Sequence, residues 1–363
     1  MERFQLKPTV YFGPDALSAL EGLAGRRVLI VTDAFLAGSG LLDRVRAHLP
    51  GCTVEVFDRV EPDPSLALVA QGARCLAAFR PEGVVAFGGG SPMDCAKAMV
   101  EFSRSLWAGP RPQFYAVPTT AGTGSEVTSF AVLTDTERGV KYPVVDDALL
   151  PDGAILDASL LAGGPPAVAA DTGMDVLTHA AEAYVAKGAS PFSDALAEKA
   201  FTLAYGNLKE AHTTPGESRA KERMLLASCL AGMAFNPAGL GASHALAHAL
   251  GGRLHVPHGR LNALLLPHVV RFNAADPGAA EKYGRLAKLC GLAGNARALA
   301  AAVERLRLAL KLPDKLTACG VDLAAVEGAL EDVTASALAD RCAPSNPRPL
   351  TAADVRALLK ELV

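Results

Sequence analysis

Asp175, His179, His244 and His258 carry donor atoms suited to a divalent cation. Asp175 and His179 are four residues apart, so on a helix they lie about 40° apart around the axis and one turn along it. Both can then reach one ion. His244 and His248 share that spacing, and His258 stands between Pro257 and Gly259, which suits a loop or a helix start. Five of the eight histidines fall between positions 244 and 268, a density hard to ascribe to chance. One carboxylate with three imidazoles can hold a first-row ion and leave a coordination position for a substrate oxygen. Taken singly, an Asp-x-x-x-His pair also reads as a capping or surface pair. His212, His255 and His268 read as core or interface histidines rather than ligands.

Two glycine-rich stretches point to a phosphate-bearing ligand. Phe87-Gly88-Gly89-Gly90-Ser91 follows a strand-like run and opens a helical pattern. Backbone N–H groups at such a turn can approach an anion, and the helix N-terminus adds partial positive charge. It departs from the GxGxxG fingerprint, since Met93 takes the third glycine position. Alone it reads equally as a plain turn. Pro118-Thr119-Thr120-Ala121-Gly122-Thr123-Gly124-Ser125-Glu126 also follows a strand-like run and is dense in hydroxyls. Two such loops after neighbouring parallel strands converge at the carboxyl edge of a sheet, where nucleotides bind. Asp33, ending the first recognisable strand, is placed to accept hydrogen bonds from an adenosine ribose, which favours NAD over NADP. Its alternative is to cap a helix beginning near Phe35.

The elements that must position these residues fall into two textures. Up to about residue 160, apolar β-branched runs (Val28–Asp33, Thr53–Phe57, Gly83–Phe87, Phe114–Val117) alternate with helical patterns such as Ser65–Phe79. That is a βαβ texture with a parallel sheet covered on both faces. Beyond Gly163-Gly164-Pro165-Pro166, Ala, Leu, Glu and Lys dominate at helical spacing, as in Ala195–Tyr205 and Ala296–Leu310. The expected organisation is an α/β dinucleotide-binding domain over 1–160 and an all-helical metal-binding domain over 161–363.

At 363 residues the chain fits two domains better than one core. Half its residues are apolar and a fifth charged, the profile of a folded protein. A net charge of −3 offers no footprint for nucleic acid or an anionic membrane. Seven scattered cysteines read as free thiols, and no stretch reaches the apolar length of a membrane span. A cytoplasmic protein is the expectation.

The motifs together resemble the iron-containing, group III alcohol dehydrogenase family. The resemblance runs from Thr9-Val10-Tyr11-Phe12-Gly13 through GGGS with Asp94 and Lys97, then PTTAGTGSEVT at 118–128, Lys141, Leu150-Pro151-Asp152 and Asp157. It continues through TGMDVLTHAAEAY at 172–184, Ser193-Asp194-Ala195, AGMAFNPAGLG at 231–241 and SHALAHALGG at 243–252. It closes with PHG at 257–259, Leu266-Pro267-His268-Val269 and Asn346-Pro347-Arg348-Pro349. It implies a Rossmann-like parallel sheet followed by a helical domain, the dehydroquinate synthase-like architecture. Asp175, His179, His244 and His258 match the family's metal ligands. Gly89, Gly90, Ser91, Thr119, Thr120, Thr123 and Lys141 match cofactor-contacting positions, and Asp33 the carboxylate associated with NAD preference. His248 matches a histidine close to the nicotinamide and the metal.

The implied activity is reversible oxidation of a small primary alcohol to an aldehyde. The metal acts as a Lewis acid on the alcohol oxygen, hydride passes to C4 of the nicotinamide, and His248 relays the proton. The implied cofactors are Fe²⁺, with Zn²⁺ accepted by the same donors, and NAD(H) in preference to NADP(H). A homodimer or larger homo-oligomer is implied as well. The alternatives are a maleylacetate reductase-like reduction of an unsaturated keto acid, or a non-catalytic nucleotide- or metal-binding protein. Departures from the family pattern are Asp171 in place of a small residue, Val176 in place of Ala, a short 103–112 stretch, His255 and Phe130.

Overall fold

Val28–Val31, Val84–Phe87 and Phe114–Val117 are buried runs whose alternate side chains serve opposite faces of one sheet. Val28, Ile30, Val85, Phe87, Tyr115 and Val117 pack with Leu17, Leu20 and Leu23. Leu29, Val31, Val84, Ala86, Phe114 and Ala116 pack on the other side with Val69, Leu76 and Met99. Each such side chain contributes about 1.5–3 kcal/mol when fully buried, so both faces must be covered.

The structure, a computed structural model, describes residues 4–137, 140–161 and 163–363. The chain divides into two compact units, Met1–Gly164 and Pro165–Val363. In the first, β1 (Thr9–Phe12), β2 (Arg27–Val31), α1 (Ala34–Gly38), α2 (Leu41–Ala47), β3 (Thr53–Phe57) and α3 (Leu66–Phe79) are followed by β4 (Gly83–Gly88), α4 (Gly90–Ser103) and β5 (Gln113–Pro118). The unit then closes with β6 (Phe130–Asp135), β7 (Val140–Val145) and β8 (Gly153–Leu156). Six strands pair in parallel in the order β1-β8-β5-β4-β2-β3, while β6 and β7 form a separate antiparallel hairpin.

From β2 the chain steps outward to β3, then returns across to β4 on the other side. This reversal is where ligands bind at the carboxyl ends of such sheets. β2 ends at Val31, two residues short of the expected Asp33, because Asp33 turns to cap α1. Ser65 caps α3 through Leu68 N–H, so the expected Ser65–Phe79 helix begins one residue later.

The second unit is helical throughout its described residues: α5 (Pro166–Val185), α6 (Pro191–Thr213), α7 (Arg219–Ala238), α8 (Ala242–Leu254), α9 (His258–Asn273), α10 (Pro277–Leu289), α11 (Ala296–Ala309), α12 (Leu323–Ala339) and α13 (Ala352–Lys360). Every residue of α5 from Gly173 to Val185 is buried, which marks it as the central helix of the unit. Two glycines permit its close neighbours. A Cβ at Gly173 would lie 2.1 Å from Leu208 Cδ1 of α6, and one at Gly259 of α9 would lie 2.2 Å from the Asp171 carbonyl oxygen. Among the described residues no single helix is long and apolar enough to cross a membrane.

Candidate metal centre and nucleotide loops

Asp175, His179 and Glu182 stand at i, i+4 and i+7 on α5, one stripe of a helix. α8 contributes His244 and His248, and α9 opens with His258 and bears Asn262 one turn later. Asp175 Oδ1 lies 3.6 Å from His244 Nε2 and 3.6 Å from His258 Nε2. Ligand atoms held ~2.0–2.2 Å from one ion are themselves roughly 3–3.6 Å apart, so both of these separations suit a shared cation. Of the four residues expected as ligands, Asp175, His244 and His258 therefore converge. His179 stands beside them, its Nε2 4.0 Å from Asp175 Oδ2 and its ring stacked on His244 at 4.5 Å between centroids.

Asn262 and Glu182, which the spacing of the histidines does not single out, complete the arrangement. The Asn262 amide donates to Asp175 Oδ1 at 2.7 Å and lies 3.3 Å from His244 Nε2 and 3.1 Å from His258 Nε2. The Asn262 amide thus sits among the three atoms that would ligate a cation. Glu182 accepts from His244 Nδ1 at 2.7 Å and from the Gly241 and Ser243 backbone N–H groups. With Nδ1 engaged by Glu182, Nε2 is the nitrogen His244 would offer to a cation, in exchange for its proton. The i+7 spacing from Asp175 was the available signal for Glu182, and the i+4 spacing from His258 that for Asn262.

The charges agree. Burial alone would raise the Asp175 carboxyl, yet His179, His258 and His244 together hold it far below the carboxylate range. Burial opposes a charged His244, but Asp175 and Glu182 outweigh it and push the ring up to about 9. Burial pushes His258 down, and the neighbouring rings add to this against the attraction of Asp175. The donor set fits a divalent ion of the iron or zinc type.

His258 and His248 form the open side of the centre, with side chains 40% and 41% exposed. Their rings stack at 5.2 Å between centroids. Asp171, a departure from the family pattern, pairs in two-pronged fashion with Arg260 at 3.2 and 2.9 Å and so ties α5 to the start of α9.

In the first unit the glycine turn sits at the junction of β4 and α4, with Gly89 as N-cap and Gly90 as first residue. A Cβ at Gly89 would lie 3.3 Å from Thr120 Oγ1, and one at Gly90 2.8 Å from Thr123 Cγ2. The two expected loops therefore face each other, joined by the Thr119 N–H to the Gly88 carbonyl at 3.0 Å. Ser91 lies in the first turn of α4. Asp33 performs the capping alternative, with Oδ1 accepting the Leu36 N–H at 2.8 Å. Leu36 Cδ1 lies 3.3 Å from where a Cβ at Gly88 would stand, so the capped helix borders the same turn. Lys141 pairs with Thr134 in the hairpin, and its side chain lies outside the described residues.

Asp94 and Lys97 brace these loops from inside. Lys97 Nζ donates to Ser125 Oγ, Thr128 Oγ1 and the Phe130 carbonyl at 2.7, 3.2 and 2.7 Å. Asp94 accepts from the Ser125 hydroxyl and the Val132 N–H. Burial pushes Lys97 down to about 8, against Asp94 and Glu126, and pushes Glu126 up to about 7.

Two family models cover nearly the whole chain. Iron-containing alcohol dehydrogenase matches residues 7–158, and the Fe-containing alcohol dehydrogenase family, C-terminal, matches 169–363. The chain is 44% identical over 371 residues to 1-propanol dehydrogenase PduQ of Citrobacter freundii, with all of both chains covered. It is 36% identical over 382 residues to the NADPH-dependent butanol dehydrogenase of Clostridium saccharobutylicum, covering 99% of this chain and 97% of that one. A crystal structure of a 1,3-propanediol oxidoreductase superposes with a TM-score of 0.92 at 37% identity and full coverage of both.

Proposed function

Because this chain belongs to the iron-containing alcohol dehydrogenase family, we propose that it interconverts a short primary alcohol and its aldehyde with a nicotinamide dinucleotide. The observation that carries the reading is the convergence of Asp175 Oδ1, His244 Nε2 and His258 Nε2 at cation-binding separations. In this reading His179 joins those three as the fourth ligand.

When bound, the divalent ion supplies a Lewis acid for the alcohol oxygen, and the nicotinamide supplies the hydride acceptor. Glu182 keeps His244 in the tautomer that presents Nε2, and Asn262 holds Asp175 Oδ1 in place. His248, on the open side, takes up the proton released from the alcohol hydroxyl and passes it to solvent. Gly89, Gly90 and Ser91 seat the pyrophosphate with Thr119, Thr120 and Thr123, and Lys141 contributes from the hairpin. Asp33, one oxygen committed to its cap, offers the other to the ribose of NAD.

Fe²⁺ is the ion we assign, with Zn²⁺ as the substitute the donors accept, and NAD(H) is the preferred dinucleotide. A cytoplasmic homodimer or larger homo-oligomer, without nucleic-acid or membrane partners, completes the proposal. Its test is anaerobic reconstitution with Fe²⁺ or Zn²⁺, followed by NADH absorbance on 1-propanol, 1-butanol, 1,3-propanediol and the matching aldehydes. Turnover should require the metal and disappear with chelator. Chelator-insensitive turnover, or none on any alcohol, would sink the reading.

A further inference from the structure

His248 is held from two sides. Its ring stacks on His258 with 14° between planes, and a segment from the far end of the unit grips its Nδ1. Asp340, which ends α12, places Oδ2 2.9 Å from that nitrogen. Its Oδ1 accepts the Cys342 backbone N–H at 2.7 Å. The two carboxylate oxygens thus have separate tasks, one on the ring and one on the chain that carries them.

An ionised carboxylate only accepts hydrogen bonds, so the proton of a neutral His248 ring lies on Nδ1 and the lone pair on Nε2. We propose that Asp340 is a positioning residue for the reaction, setting the tautomer and ring plane of His248 so that Nε2 is its proton acceptor. This rests on the reading of His248 as the proton relay.

The anchor is firmly mounted. Asn346 Oδ1 accepts the Ala242 N–H at the start of α8, and its amide donates to Asn273 Oδ1 and the Arg348 carbonyl at 2.7 and 2.6 Å. The Ser345 carbonyl accepts the Lys187 N–H at 2.9 Å. The segment after Asp340 is therefore fastened to α8 and α9, two of the three helices that carry histidines of the centre. The carboxylate, 17% exposed, is also better shielded than the ring it holds.

The test compares D340N, H248F and the double variant in zinc-reconstituted enzyme. In D340N the remaining side-chain oxygen can still accept the Cys342 N–H, while the new amide donor meets Nδ1 and forces the opposite tautomer. Ring-nitrogen NMR should show Nδ1–H for His248 in the parent and Nε2–H in D340N. The kcat should fall about tenfold to a hundredfold, the range for losing a partner of this kind, with metal content and alcohol KM unchanged. In the H248F background D340N should add no further loss. Full kcat in D340N, or an equal loss in the H248F background, would overturn the proposal. Full turnover in H248F with a switched ring in D340N would remove the relay reading and leave the anchoring intact.

Discussion

Glu182 Oε2 lies 2.7 Å from His244 Nδ1, while the same carboxylate accepts the Gly241 and Ser243 N–H groups that open α8. One buried side chain therefore sets both the start of the helix and the nitrogen that its histidine turns to the metal. E182Q must lose one of these bonds, because an amide has a single acceptor atom. Metal affinity should weaken about 10–100-fold, read by competition with a chromophoric chelator for Zn²⁺. Unchanged affinity would show that the single oxygen kept in E182Q suffices for His244.

Gly259 follows the candidate ligand His258 at the closest approach of α9 to α5. The atom a Cβ would strike is backbone, 2.2 Å away at the Asp171 carbonyl, so no rotamer change relieves it. G259A should cost about 1–3 kcal/mol in denaturant unfolding and loosen the metal by displacing His258. A variant with full stability and full metal content would show that the helices can part without harm.

Glu126 is buried, and its Oε1 has no hydrogen-bond partner among the described residues. Burial raises its pKa from 4.5 to about 7, with Lys97 pulling the other way. A raised folded-state pKa means that the folded protein binds the extra proton. The associated stability is complete below about pH 4.5 and is lost as pH rises through about 7. E126Q should remove that slope and stabilise the protein at pH 8 by on the order of 1–3 kcal/mol. Urea midpoints at pH 5, 6, 7 and 8 check it; parallel curves for parent and variant would count against it.

Asp33, the cap of α1 just beyond β2, is the charge that should repel a 2′-phosphate. D33S, whose hydroxyl can still cap α1, should raise kcat/KM for NADP relative to NAD by ~tenfold or more, since like-charge contacts cost several kcal/mol. One relative, the butanol dehydrogenase of Clostridium saccharobutylicum, is named as NADPH-dependent. A ratio insensitive to D33S would assign the preference elsewhere.

The central strands were legible because burial on both faces writes them as unbroken apolar runs, as at Val84–Phe87. β1 and β8 are four residues each, too short for a periodicity to register, and the β6–β7 hairpin lies off the main sheet. At the centre, Asp175 and His179 could be found because helical spacing sets local geometry. Asp340 could not. It reaches His248 across 92 residues through the packing of a loop, and no local pattern records that. Lys97 was visible only as part of a motif; its three bonds within the protein show a brace for the loops.

That brace has a thermodynamic corollary. Because Lys97 and Asp94 fasten Ser125, Thr128 and the strand that follows to α4 by bonds within the chain, the fold itself holds the loops proposed to seat the dinucleotide. A dinucleotide bound there would sacrifice little chain entropy at these loops, leaving more of the contact energy as affinity.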